Sequence, residues 1–502
     1  MKVWSQTFAL LLTILLFIQS NSLSIRSSVA EDIPLLTLIS MDGFRYDYLD
    51  HFDNKEVPNF YYLINNGVKA ASVHNVFPSV TLPSHMTLLS GLYPENHGVV
   101  HNRFYDAYYN KTYDLFDFLA NEDPRFFDNG QETIWVTNQN AGLERNTGSM
   151  LFPDAVTTVK GVQPRIIPNS FYANDSITWE RRVDTLIDWF QDKYRPINLG
   201  LLYFPEPDET GHRNGPEIIK GKELHSVILK LDKILGYFIN KLNESNILHK
   251  MNIILTADHG MVKWNGQKVN LDDLVNPDLY KTASNGGNHI VELVYPKKGS
   301  EDEVFQSLKK SNNIYVYRKN SKEAREIHYS NHHRIPEIVV EAKEGFVIGN
   351  TESLKTFHTT GNHGYDPGKV KAVHPFFIAS GPVFKKNFKS PTVKQIDIYS
   401  LMCHILKVPS AKSDGSMETV ADLLSTSLEG AHTKDIETTS VTFLVIVLFT
   451  ALVSGIFCIG AFRQSRITAR KRMILGRPRK FNVASRDIPA ASALLESDDD
   501  DL

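Results

Sequence analysis

Short apolar runs without polar alternation recur along the chain. Leu35-Leu36-Thr37-Leu38-Ile39, Ile134-Trp135-Val136, Leu199 to Phe204, Ile253-Ile254-Leu255 and Pro375-Phe376-Phe377-Ile378 each read as a strand. Unbroken runs of this kind suit strands covered on both faces, since a strand with one wet face alternates apolar and polar positions. Between the runs the period changes. Val183, Leu186, Ile187 and Phe190 fall three and four apart, as do Leu224, Val227, Ile228, Leu231, Ile234, Leu235, Phe238 and Leu242. That spacing lines apolar side chains along one side of a helix. Strands alternating with amphipathic helices predict an α/β fold: a doubly wound, mostly parallel sheet with helices on both faces. The stretch from about 265 to 345 is more polar and reads as an insertion or subdomain.

Two apolar segments stand outside this pattern. Phe8 to Ile18 follows Lys2 and gives way to small and polar residues from Ser20 to Ser24, which predicts a secretory signal peptide over residues 1–22. Val441 to Phe462 carries no charge and is long enough to cross a hydrocarbon core of about 30 Å. Arg463, Arg466, Arg470, Lys471, Arg472, Arg477, Arg479 and Lys480 follow it. Basic residues stay on the cytoplasmic side, so the expected layout is type I. An extracellular domain over 23–430 leads through a stalk over 431–440 to one transmembrane helix over 441–462. A cytoplasmic tail over 463–502 follows, basic and then acidic. Sequons at Asn110, Asn174 and Asn243 all fall in the outer domain and are its expected glycosylation sites.

Composition narrows the class further. Hydrophobic residues make up 42% and charged residues 22%, which excludes a disordered, collagenous or polytopic membrane protein. A net charge of −3 argues against a nucleic-acid polymer as partner. The two cysteines are Cys403 and Cys458, and the second lies inside the predicted span, so no disulfide can join them. Cys403 sits in the apolar stretch from Ile398 to Val408 and is expected to be a buried free thiol. The outer domain must then be stable through its core and through any metal it binds.

The unusual residues gather where strands end, which is where open α/β sheets place their sites. The first strand runs into Asp42-Gly43, the third into Glu206-Pro207-Asp208-Glu209-Thr210-Gly211-His212, and the fourth into Asp258-His259-Gly260. Gly361-Asn362-His363-Gly364 precedes the last strand. Singly, such an Asp is most simply a turn or helix cap, and such a His a satisfied polar residue. Together they are three carboxylates and three imidazoles, enough donors for two first-row ions such as Zn2+. Asp208 and His212, four apart, share one side of a helical turn. Phe77 to Gly91 reads as a loop feeding a helix, with Thr81 at the N-cap, Pro83 in the first turn and Gly91 at the end. Thr81 is either a plain cap or a hydroxyl nucleophile at the positive end of the helix dipole.

These residues resemble the ectonucleotide pyrophosphatase/phosphodiesterases of the alkaline phosphatase superfamily. The resemblance rests on Met41-Asp42-Gly43-Phe44-Arg45, the Thr81 helix and Gly91-Leu92-Tyr93-Pro94-Glu95-Asn96-His97-Gly98. It rests further on Glu206-Pro207-Asp208, Gly211-His212, Ala257-Asp258-His259-Gly260-Met261 and Gly361-Asn362-His363-Gly364, all in the family's order over roughly 35 to 410. It implies two zinc ions. Asp42, Thr81, Asp258 and His259 match the ligands of one, with Thr81 also the nucleophile; Asp208, His212 and His363 match those of the other. Asn102 matches an asparagine that helps bind a phosphoryl oxygen, and Tyr172 and Tyr203 match tyrosines of the nucleoside pocket. The implied reaction cleaves a phosphodiester or phosphoanhydride through a phosphothreonyl intermediate, releasing nucleoside 5'-monophosphates from extracellular ATP, ADP, NAD or dinucleoside polyphosphates.

The chain also departs from the family pattern. Leu82 stands where Phe or Tyr is usual in the pocket, and Ser84 replaces a usual Asn, so the base preference is expected to be weaker or altered. The type I layout resembles the shorter membrane members, yet the ectodomain disulfides those generally carry cannot form here. Sulfatases share the fold, but their C/S-x-P-x-R motif has no counterpart around Thr81. The alternative within the family is a branch that cleaves choline-phosphate lipids; a more distant one is a catalytically silent surface protein. The sequence sets no oligomeric state.

Overall fold

A computed structural model describes residues 33–114, 123–166, 177–283 and 288–425, together with 459–468 and 470 near the C-terminus. The predicted signal peptide, stalk, most of the 441–462 segment and most of the tail lie outside the described residues, as do Tyr172 and Asn174. Among the described residues no helix is long and apolar enough to cross a membrane. Residues 459–468 are helical and exposed, and they form part of a unit separate from the domain that ends near Ser427.

In the large unit, the central sheet is built from β1 (Leu35–Met41), β2 (Gly67–Ala70), β3 (Thr147–Met150), β4 (Leu199–Phe204) and β5 (Met251–Thr256). A second set comprises β6 (Tyr280–Thr282), β7 (Val291–Pro296), β8 (Ile314–Arg318) and β9 (Ile338–Ala342), and the chain returns to the first sheet with β10 (Phe377–Ser380) and β11 (Phe388–Ser390). Among the described residues the spatial order of the large sheet is β11-β2-β10-β5-β1-β4-β3. β1 lies parallel to both β4 and β5, and β3 is parallel to β4. β10 is antiparallel to β5 and to β2, so the sheet is mixed, with one reversed strand among parallel ones. β6, β7, β8 and β9 make a separate antiparallel sheet in the order β6-β7-β9-β8, inside the polar stretch.

The helices that frame the sheet are α1 (Pro58–Asn65), α2 (Thr81–Ser90), α3 (Ile134–Asn140), α4 (Trp179–Phe190), α5 (Asp208–Asn214), α6 (Glu223–Glu244) and α7 (Asp397–Leu406). Val183, Leu186 and Ile187 of α4 and Leu224, Ile228, Leu231, Leu235 and Phe238 of α6 join Ile39, Met41, Leu202, Phe204, Ile253 and Leu255 in one buried cluster. Each such side chain contributes about 1.5–3 kcal/mol on burial. Leu36 and Leu38 point the other way, because strand side chains alternate, and that face is covered by α7, with α2 and α3 packed against it. Cys403 of α7 is buried and free.

Two local expectations fail. Ile134-Trp135-Val136 is not a strand: it opens α3, and all three side chains are buried. A short apolar run fits a strand between two layers and a helix enclosed by others equally well, so its period decides nothing. Thr81 is not the cap of α2. Val80 takes the extended cap conformation, and Thr81 is the first helical residue. Every α2 residue from Leu82 to Ser90 is buried, while Thr81 stays half-buried.

Candidate active site

The three central parallel strands deliver their carboxylates at the same edge. Asp42 follows β1, Asp208 opens α5 just after β4, and Asp258 follows β5. The turn after β1 ties the other two together. The Asp208 N–H donates to the Asp42 carbonyl at 2.9 Å, and the Gly43 N–H donates to Asp258 Oδ1 at 3.1 Å. Gly43 has φ +70, and a Cβ there would stand 2.8 Å from Asp208 Cα and 2.9 Å from Asp208 Oδ1. Only glycine serves both the left-handed turn and the close approach.

The imidazoles are oriented by the backbone. His212 Nδ1 donates to the Gly361 carbonyl at 2.8 Å, His363 Nδ1 to the Ser79 carbonyl at 2.9 Å, and His259 Nδ1 to the Gly260 carbonyl at 3.0 Å. With each Nδ1–H so engaged, each Nε2 offers its lone pair to the centre, the tautomer a metal ligand needs. Around Asp208, the Oδ2–His212 Nε2 and Oδ1–His363 Nε2 separations are 3.4 and 3.5 Å, and the two Nε2 atoms are 3.1 Å apart. On the other side, His259 Nε2 stands 3.4 Å from Asp42 Oδ1 and 3.1 Å from Asp258 Oδ2. Tetrahedral ligands at bond lengths of about 2.1 Å are roughly 3.4 Å from one another, so these separations match the edges of a tetrahedral metal site. Asp42 Oδ1, Asp208 Oδ1, Asp258 Oδ2 and His259 Nε2 are buried without a hydrogen-bond partner. The two clusters adjoin: donor atoms of Asp42, Asp208 and His259 lie within 4.8 Å of one another, and the His259 and His363 rings stack at 3.4 Å.

Buried carboxylates and imidazoles shift one another's pKa values here. Burial, with Asp258 and Asp208 beside it, pushes the Asp42 carboxyl well above its usual range. Asp258 goes the other way: burial works to raise it, but the His259 and His85 imidazoles outweigh that and hold it low. Asp208 is likewise held down to about 2, with His212 and His363 overcoming burial. For His212 and His259 burial lowers the pKa, but the neighbouring carboxylates win and raise it. Burial together with the His259 charge takes His363 down to about 3. Carboxylates and imidazoles that perturb one another this strongly are a donor set that a divalent cation fits.

Thr81 opens α2 at the rim of this cluster. His85, one turn on, donates from Nδ1 to the Thr81 carbonyl at 2.9 Å, and its Nε2 meets Ser40 Oγ at 2.9 Å. Its Nδ1 is 3.5 Å from Asp258 Oδ2. Both ring nitrogens are hydrogen-bonded, so His85 ties the first turn of α2 to β1 and stands beside Asp258. Asn75 and Gln395 also donate to the Asp258 carbonyl, at 3.4 and 3.0 Å. Sequence reading did not single out these three residues. For His85 the four-residue step from Thr81 was a usable signal, because it shares a helix side with Thr81; Asn75 and Gln395 come from distant loops and gave none. Asn102 Oδ1 accepts from the Leu82 N–H at 2.9 Å, which leaves its Nδ2 group as donor. Leu82 is buried, 1% exposed. Tyr203 is half-buried, and its Oη donates to Asp42 Oδ2 at 2.7 Å. Asn110 is exposed in a hairpin turn and Asn243 in the last turn of α6.

Buried carboxylates and inward-facing imidazoles at the strand ends of an α/β sheet, beside a helix-borne hydroxyl, define a metal-assisted hydrolase site. Residues 36–366 match the family described as type I phosphodiesterase / nucleotide pyrophosphatase. The chain is 37% identical to human (Homo sapiens) ectonucleotide pyrophosphatase/phosphodiesterase family member 5 over 409 residues, 81% of each chain. It is 31% identical to the Xenopus laevis protein named bis(5'-adenosyl)-triphosphatase, over 78% of this chain and 82% of that one. Among solved structures it resembles murine ectonucleotide pyrophosphatase/phosphodiesterase 5, an inactive threonine-to-alanine variant in complex with AMP. The TM-score is 0.71 at 37% identity, covering 78% of this chain and all of that one. The chain belongs to the nucleotide pyrophosphatase/phosphodiesterase family of the alkaline phosphatase superfamily, and it is a phosphodiesterase/pyrophosphatase hydrolase.

Proposed function

We propose that the protein is a zinc-dependent ecto-enzyme that hydrolyses extracellular nucleotides to nucleoside 5'-monophosphates, with Thr81 as nucleophile. The observation that carries the zinc reading is the donor geometry: three Nδ1–H groups anchored on carbonyls, and facing Nε2 and carboxylate atoms 3.1–3.5 Å apart. Asp42, Thr81, Asp258 and His259 would hold one ion and Asp208, His212 and His363 the other. When bound, the pair supplies charge stabilisation to the attacking and leaving oxygens of an in-line displacement. The nucleotide reading draws support from the relative named bis(5'-adenosyl)-triphosphatase and the relative bound to AMP.

The residues have separable tasks. Thr81 Oγ sits at the positive end of α2, where developing negative charge is favoured. It forms the new bond to phosphorus as the bond to the leaving oxygen breaks, and its proton passes to solvent. Water then displaces Oγ and releases the nucleoside monophosphate. Asn102 Nδ2 donates to a phosphoryl oxygen, held for that by the Leu82 N–H on Oδ1. By the family resemblance Tyr172 and Tyr203 would flank the base; Leu82 offers no ring, so stacking would be weaker than with an aromatic at that position. A signal peptide over 1–22 and a span over 441–462 would place the domain outside a plasma membrane, with glycans at Asn110, Asn174 and Asn243.

The test compares nitrophenyl thymidine 5'-phosphate, nitrophenyl phosphate and nitrophenyl phosphorylcholine as substrates, with and without chelator. The nucleotide ester should be turned over fastest, and chelator should abolish this. Thr81→Ala should lower kcat by on the order of 1,000-fold or more. Turnover of the phosphorylcholine ester with an inert nucleotide ester would sink the substrate assignment, and a fully active Thr81→Ala would sink the mechanism.

A further inference from the structure

One side chain joins the base-binding side of this site to its metal-binding side. Tyr203 lies in β4, and its Oη donates to Asp42 Oδ2 at 2.7 Å. The other oxygen of that carboxylate, Oδ1, is buried with no hydrogen-bond partner and stands 3.4 Å from His259 Nε2. One oxygen is therefore committed to the phenol while the other faces the ligand cluster. The Tyr203 backbone is fixed twice: it pairs with Ser40 in the parallel register of β1 and β4, and its carbonyl accepts from Nη1 of the buried Arg182 at 2.9 Å. Its ring meets His85 edge-on, with centroids 5.7 Å apart and planes at 76°. The residue as a whole remains half-buried.

We propose that Tyr203 is a positioning residue for the metal as well as a wall of the nucleoside pocket, its hydroxyl setting the rotation of the Asp42 carboxylate toward the cation. The inference rests on the zinc-dependent nucleotide reading. A carboxylate rotates readily about its Cβ–Cγ bond. A donor on one oxygen selects the rotamer that points the other at the ion, and outer hydrogen bonds of this kind are typically worth about 10–100-fold in metal affinity. Ring and hydroxyl thus make separable contributions: the ring to base binding, the hydroxyl to metal retention.

Two variants of the full-length protein separate them. Tyr203→Phe keeps the ring and removes the hydroxyl; Tyr203→Leu removes both. Zinc affinity is read on metal-stripped protein by competition with a chromophoric chelator. KM is read at saturating zinc for nitrophenyl thymidine 5'-phosphate and for bis(nitrophenyl) phosphate, which has no base. Tyr203→Phe should bind zinc about 10–100-fold more weakly, with the ratio of the two KM values unchanged and the metal-free melting temperature equal to that of the parent. Tyr203→Leu should lose zinc to the same extent and also lose the preference for the nucleotide ester. Parental zinc affinity in Tyr203→Phe overturns the proposal. A zinc loss accompanied by a lower metal-free melting temperature also overturns it, in favour of a general structural role. If the parent protein does not cleave the nucleotide ester, the nucleotide reading fails, while the zinc measurement still decides the part played by the hydroxyl.

Discussion

Asn102 reaches the site through a single hydrogen bond, its Oδ1 accepting from the first-turn N–H of Leu82. That bond aligns the carboxamide with the helix end that carries Thr81. Asn102→Ala should therefore lower kcat by about 100–1,000-fold, the usual cost of a lost oxyanion donor, with little change in zinc affinity. Steady-state kinetics beside a chelator competition separates the two effects. Away from the site, two histidines make acid the domain's weak side. Burial takes His97 down to about 3, helped by His332, and takes His101 down to about 4. Both are fully buried, and the unfolded chain protonates them near the ordinary value of about 6.5. A folded pKa below the unfolded one gives stability that is complete above about 6.5 and is lost as pH falls toward the folded value. Going from pH 7 to pH 5 should cost about 2 kcal/mol per histidine. Urea unfolding at the two pH values should show this, and His101→Gln should reduce the difference.

At the scale of elements, the site depends on adjacent strands ending level. β1 pairs with β4 and β5 in parallel register, Ser40 opposite Tyr203 on one side and Thr256 on the other. The residues just past those ends thereby face one another. The Asp42-Gly43 turn locks the arrangement, with no room for a methyl group between Gly43 and Asp208. Gly43→Ala should push Asp208 out of reach of His212 and His363. Activity should fall by at least about 100-fold, the scale on which displacing a catalytic group by an ångström acts, and zinc binding should fall to one ion per chain. Metal analysis after dialysis provides the count; two retained ions with full activity would refute the packing argument. At the same scale lies the misread element, α3. Three apolar residues carry no period, and only the helices packed around them decide between strand and helix.

For the whole domain, the core carries the stability without help from the described cysteine, which is free and buried, and a metal bound at the cluster would add to it. Chelation should lower the melting temperature as well as the activity, because an ion bound only by the folded state stabilises it by RT ln(1 + [Zn]/Kd), about 4 kcal/mol at a thousandfold excess over Kd. Calorimetry with and without chelator measures this, and an unchanged melting temperature after verified metal removal would count against it. Reductant should change nothing in the same experiment. Among the described residues, the sequence by itself determined four of the large sheet's seven strands, β1, β4, β5 and β10, the two long amphipathic helices, and the acids and histidines Asp42, Asp208, His212, Asp258, His259 and His363 that the fold brings together, because periodicity and strand-end chemistry are local properties of the chain. It did not determine that β10 runs against its neighbours, that the Tyr203 hydroxyl holds Asp42, or that His85, Asn75 and Gln395 secure Asp258. The side-chain relations join residues from 137 to 183 positions apart, and only the tertiary packing of strands, loops and helices brings these side chains together.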